Sequence, residues 1–148
     1  FWEGATQIRE VRQECFNAVN SLMAFCSNSE EYAERVHDFQ LKLIRLASLL
    51  HCSALQEVCE LDNDQLEILE LEKMSKDRLH FLQMSKDRCE VVMSWIQRLI
   101  FDAHRSQILD VAPPLITRPL TELSTGMIRL NNADKLQEIP FPFPYAQL

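Results

Sequence analysis

The sequence predicts an all-α fold: a bundle of about four to six amphipathic helices, followed by an extended proline- and aromatic-rich C-terminal segment. Three observations predict it. The 148 residues include only two glycines, Gly4 and Gly126, and strand-rich folds draw on glycine at their turns. Apolar residues recur at steps of three and four along most of the chain, which lines one face of a helix. At the end, Pro140, Pro142 and Pro144 alternate with Phe141, Phe143 and Tyr145. Proline has no backbone N–H and a fixed φ, so this stretch is neither a helix interior nor a central strand. A chain of this length can bury one core, and residues 1–148 read as a single helical unit.

The first helix is expected over residues 3–27, where Ile8, Val11, Cys15, Val19, Leu22 and Cys26 share a face and Arg9, Glu10, Arg12, Gln13 and Glu14 occupy the rest. Ser27-Asn28-Ser29-Glu30-Glu31 stops that helix and starts the next. Asn28 with Glu31 fits a capping box, and Ser29 is the alternative cap. The second helix, about 30–56, has the clearest pattern: Tyr32, Val36, Phe39, Leu43, Leu46 and Leu50 step by four and three. Leu41, Ile44 and Leu49 add a second apolar face. A helix apolar on most sides must be surrounded, so this one is expected at the centre with partners on more than one side.

His51, Cys52 and Cys59 invite a metal reading, but zinc needs about four ligands at compact spacings and no fourth lies near in sequence. His37 is on the same helix, roughly 21 Å away at the standard rise. Core packing is the expectation for the cysteines. Residues 57–72 are acidic, and Asp62-Asn63-Asp64 looks like the start of a calcium loop. The EF-hand pattern then needs an oxygen ligand and a glycine where Leu66 and Glu67 stand, so a solvated turn and a helix start are expected instead.

The pentapeptide Met74-Ser75-Lys76-Asp77-Arg78 recurs as Met84-Ser85-Lys86-Asp87-Arg88. Two copies ten residues apart are not a solenoid array and read as a local duplication. A short helix follows on Cys89, Val92, Ile96 and Leu99, with Trp95 alongside. Residues 102–114 read as a linker closed by Pro113-Pro114. The last helix is expected to run to about Leu136 on Leu120, Leu123, Met127 and Leu130. Its regular part is expected to begin at Pro119, because a proline suits the first helical position and not the interior.

A net charge of −7 lacks the basic face that nucleic-acid binding needs. The five cysteines, Cys15, Cys26, Cys52, Cys59 and Cys89, are odd in number and lack CxxC spacing, which suggests reduced thiols rather than a disulfide framework. No phosphate-binding glycine loop and no nucleophile elbow is present, so no catalytic site, cofactor or metal is expected. No run of about 18 apolar residues occurs, so this segment alone is not expected to span a bilayer. The abrupt first residues, and a stiff final segment that stops where Tyr145-Ala146-Gln147-Leu148 could open a new helix, lead to the expectation of an internal fragment truncated at both ends.

Glu138-Ile139-Pro140-Phe141-Pro142-Phe143-Pro144-Tyr145-Ala146-Gln147 resembles the signature that precedes the third membrane helix of bestrophin-type anion channels. Phe1-Trp2-Glu3-Gly4 resembles the aromatic-acidic stretch after that family's second membrane helix. Phe39-Gln40-Leu41-Lys42-Leu43-Ile44-Arg45-Leu46-Ala47-Ser48-Leu49-Leu50-His51 and Trp95-Ile96-Gln97-Arg98-Leu99 resemble its cytosolic helices.

The resemblance implies a homopentamer whose cytosolic helices surround the five-fold axis and line an inner vestibule. It also implies passive conduction of chloride or bicarbonate, with membrane contact through segments outside this chain. The parent would lie in a plasma or organellar membrane, this segment on the cytosolic or stromal side. By the same resemblance the cytosolic constriction maps to Pro114, Leu115 and Ile116, and the family residues at the end of the chain are Ile139, Pro140, Phe141, Pro142, Phe143, Pro144, Tyr145 and Gln147. The family's calcium clasp is built from segments this chain does not contain. Pro119 departs from the family, which carries another residue there and starts the helix nearer the double proline.

An anion path should not be lined by carboxylates, so this reading expects residues 57–72 to face away from the axis. The rival expectation is a cytosolic all-α adaptor that binds a partner helix through the surplus apolar face of residues 41–50, without transport activity.

Overall fold

A computed structural model describes residues 2–59 and 88–138, with side chains for residues 9–54, 88–126 and 128. The fold is all-α. Among the described residues there are four α-helices, α1 (Trp2–Ala24), α2 (Ala33–Cys59), α3 (Arg88–Arg105) and α4 (Pro113–Glu138), and one 3-10 turn, Glu30–Tyr32. The acidic stretch from residue 60 on, the first copy and most of the second copy of the pentapeptide repeat, and residues 139–148 lie outside the described residues, as do the side chains of residues 1–8.

One backbone pairing fixes how the helices run. Cys26, just past α1, pairs antiparallel with Leu109, just past α3. Ser27 N donates to Ile108 O at 2.8 Å and Asp110 N donates to Phe25 O at 2.8 Å. The ends of α1 and α3 and the starts of α2 and α4 therefore share one end of the molecule. Gly126, halfway along α4, lies against Val11 and Glu14 of α1, which is the register an antiparallel α1–α4 pair requires. The helices run up, down, up, down. α1 packs most extensively along α4, α2 along α3, and α2 also touches α1 and α4.

The helical stripes meet in one core. α1 contributes Val11, Ala18 and Leu22; α2 contributes Phe39, Leu43, Leu49 and Leu50; α3 contributes Val92, Ile96 and Ile100; α4 contributes Ile116 and Leu123. Cys15, Val19, Tyr32 and Leu46 are partly buried against it. Leu49 of the second apolar face of α2 is in this core, but Leu41 and Ile44 are exposed, Ile44 at 49%. The second helix has partners on three sides and an open outer side.

Local chemistry moves three boundaries away from the sequence reading. The turn at 25–32 uses no capping box. Ser29 stands at the cap position with extended backbone and no side-chain cap bond, and its N–H donates to Ser27 Oγ at 3.2 Å. Tyr32 N donates to Ser29 O at 3.1 Å, which closes the 3-10 turn.

The expected linker 102–114 is shorter, because α3 continues to Arg105. It ends in a Schellman motif. Ile108 N reaches back to Ala103 O at 2.9 Å and Gln107 N to His104 O at 3.2 Å, with Gln107 in the left-handed region at φ 68°. Glycine is the usual residue for that conformation, so a glutamine there leaves no helix-stop signal in the sequence.

The last helix begins at Pro113, not at Pro119, and Pro119 sits inside it, fully buried. Pro113 and Pro114 occupy the first turn, where the missing N–H groups have no intrahelical partner to lose. Leu115 N then donates to Ala112 O at 3.0 Å. Pro119 removes the N–H that would bond the Leu115 carbonyl, at a cost of about 3 kcal/mol. Its burial between the stripes of Ile116 and Leu123 offsets part of that.

Candidate functional site

The candidate constriction occupies the first turn of α4. Successive helical residues point about 100° apart, so three neighbours cannot share one face. Pro114 and Leu115 are exposed, Leu115 at 51%, while Ile116 is 4% exposed and belongs to the core. The structure thus divides the trio: two side chains stand on the surface and one anchors them.

The electrostatics of this turn follow from its prolines. A helix start carries roughly half a positive charge, normally presented through free N–H groups. Here Pro113 and Pro114 have no N–H, and the Leu115 N–H is taken by Ala112 O. The turn keeps a favourable sign for an anion but offers few donors to hold one. Arg118, one turn on, is exposed and ion-paired with Glu122 at 3.1 Å.

The link between α3 and α4 is strapped in place by side chains that sequence reasoning did not single out for this role. His104 Nε2 lies 3.2 Å from Val111 O. A carbonyl only accepts, so the ring nitrogen donates and the neutral ring is held in its Nε2–H tautomer. Tyr32 OH donates to Gln107 Oε1 at 3.2 Å across 75 residues of sequence. Arg35 stands over the Tyr32 ring at 5.2 Å. Tyr32 was legible only as a member of the α2 apolar stripe, and no local pattern marks His104 or Gln107.

His51 and Cys52 are both half-buried on α2. Burial pushes His51 below its ordinary pKa, and the Arg12 guanidinium of α1 adds to this. Burial pushes the thiols of Cys15 and Cys52 up. Burial also raises Cys26, partly countered by a hydrogen bond from Gln40, and its Sγ donates to Leu22 O at 3.4 Å. Thiols held in the protonated form are poor nucleophiles and poor metal ligands. Among the described residues no group of three or more His, Cys, Asp or Glu side chains could hold a metal ion.

Large apolar side chains are exposed elsewhere on the bundle: Phe16 on α1, Leu41 and Ile44 on α2, Phe101 on α3 and Ile128 on α4. Among the described residues, no helix is long and apolar enough to cross a membrane. The chain matches no protein-family model, no curated protein and no solved structure.

Proposed function

We propose that this chain is the cytosolic helical part of a bestrophin-type anion channel, lying between that family's second and third membrane helices. Five identical copies would wall the inner vestibule, and chloride or bicarbonate would pass along the axis. The observation that carries this reading is the sequence from Glu138 to Gln147, in which three prolines alternate with aromatics as they do before the family's third membrane helix. The parent is then an integral membrane protein of a plasma or organellar membrane, held there by segments outside this chain, with this chain on the cytosolic or stromal side.

Two features of the bundle support it. Leu115 stands exposed on the first turn of α4, beside Pro114. A ring of five such side chains would make passage depend on dehydration of the ion and so favour weakly hydrated anions. Ile116, buried beneath them, would hold the ring rather than line it. The donor-poor start of α4 suits passage over retention, since an ion held tightly does not conduct. Secondly, the exposed Phe16, Ile44, Phe101 and Ile128 would be covered by neighbouring copies in an assembly.

The adaptor remains the second reading because Leu41 and Ile44 are exposed side by side on α2, where a partner helix could dock without any membrane. Anion flux into liposomes carrying the full-length protein separates the two, with Leu115→Ala in a parallel sample. Flux that rises or loses its preference among anions in the variant supports the channel with Leu115 at its constriction. Unchanged flux keeps the channel and discards Leu115. No flux from a folded, inserted protein leaves the adaptor.

A further inference from the structure

The opening turn of α4 is not held by α4 alone. The seven residues before it, 106–112, are fastened at four points. The Schellman bonds tie Gln107 and Ile108 to α3, and the backbone pairing ties Ile108 and Asp110 to the α1–α2 turn. Tyr32 OH ties Gln107 to the 3-10 turn. The last fastening is His104 to Val111 O. It is the fastening closest to α4, one residue before Ala112, whose carbonyl accepts the Leu115 N–H. From His104 to Leu115 there is thus a short relay: ring N–H to the Val111 carbonyl, one peptide to Ala112, and the Ala112 carbonyl to the Leu115 amide.

We propose that His104 is a positioning residue for Leu115: by holding the Val111 carbonyl it sets where the first turn of α4 stands relative to the α1–α2 turn. The ring donates from Nε2 to the Val111 carbonyl and so acts as a strut between the end of α3 and the start of α4. The neighbouring groups explain why a single side chain has this reach. Ala103 and Leu109 on either side are buried, which leaves the link no freedom to slide toward the core. Of residues 110–115 only Val111 packs against the core, and only in part. Asp110, Ala112, Pro113, Pro114 and Leu115 are exposed, so the approach to α4 is held by the Val111 side chain and by the bond from His104 to the Val111 carbonyl until Ile116. The significance of Leu115 for conduction rests on the channel reading above; its coupling to His104 does not, and each has its own measurement.

The test compares His104→Gln, His104→Asn and His104→Leu in the full chain by NMR. A glutamine amide reaches roughly where Nε2 lies, an asparagine amide falls short, and leucine has no donor. With leucine and asparagine the amides of Ser27 and Asp110 are expected to exchange roughly three- to tenfold faster, and the Leu115 methyl resonances to shift. Glutamine should restore both. Should the leucine variant fail to fold, the glutamine–asparagine pair, which keeps an amide at the site, still decides the outcome. Exchange and methyl resonances indifferent to all three substitutions overturn the coupling. In liposomes carrying the full-length protein, His104→Asn should change the permeability ratio between anions as Leu115→Ala does, and His104→Gln should not. A conducting protein whose ratio ignores His104 while the methyl shift responds confines the role of His104 to the fold and overturns its link to the pathway. Absence of conduction in the unsubstituted protein removes the channel reading and leaves the NMR arm to decide the coupling.

Discussion

Replacing Pro119 by alanine is expected to stabilise the protein, although Pro119 is fully buried. Two opposing effects set the magnitude. Alanine restores the N–H that can bond the Leu115 carbonyl and removes the ring that crowds it, a gain of about 3 kcal/mol for a helix interior. Alanine also deletes two buried ring carbons, a loss of roughly 1.6 kcal/mol at about 0.8 kcal/mol per methylene. The difference is a net stabilisation of about 1 kcal/mol, or roughly 2–4 °C in Tm for a chain near this size. Urea titration followed by circular dichroism at 222 nm measures it, with the midpoint rising at unchanged slope. A variant destabilised by 1 kcal/mol or more would refute the reasoning, because it would mean that the ring's contacts outweigh the broken helix bond. Pro119 would then stabilise α4 rather than being tolerated in it.

Two further predictions follow from the turns and the core. Gln107 sits at φ 68°, which costs a non-glycine residue about 1 kcal/mol. In a Tyr32→Phe background, where the Tyr32–Gln107 bond is already gone, Gln107→Gly should recover about that amount in a denaturant titration. His51 has its folded pKa below its ordinary value of 6.5 through burial and Arg12. The unfolded chain therefore binds the proton first. Stability should be constant above pH 6.5 with respect to this group and should fall as pH drops below 6.5 toward the folded value. His51→Gln should flatten the Tm profile between pH 7 and pH 5; an unchanged profile would exclude His51 as its source.

What could be read from the sequence was whatever repeats with the period of a helix. The steps Val36, Phe39, Leu43, Leu50 and Val92, Ile96 were visible in advance because helical geometry turns a spacing into a face, and these residues form the core. The second face of α2 was only half legible. Leu49 is buried and Leu41 and Ile44 are not, and periodicity says which residues share a face without saying whether anything stands opposite.

The boundaries failed where tertiary structure overrode local propensity. α3 stops at a left-handed glutamine where a glycine would have been the signal, and α4 runs through Pro119 because the packing of the whole helix tolerates a lost backbone bond that the buried ring only partly offsets. At the candidate constriction, the run Pro114, Leu115, Ile116 reads as one apolar patch on paper, yet a 100° turn per residue separates Ile116 from the other two. Tyr32 and Gln107 meet only because two distant turns pair, and no window of sequence contains both; His104 reaches Val111 within a single link, but no local pattern marks that bond.

The pairing of Cys26 with Leu109 joins positions 83 residues apart. Contacts of such separation form late, since closing so long a loop costs entropy that two hydrogen bonds offset only once the helices beside them have packed. The α1–α2 and α3–α4 pairs, each joined by a connection of under ten residues, can assemble locally beforehand. The end of the molecule that presents Leu115 is therefore expected to be the last to order during folding and the first to open under stress. A protease or a hydrogen-exchange pulse should find that end before it finds the middle of any helix.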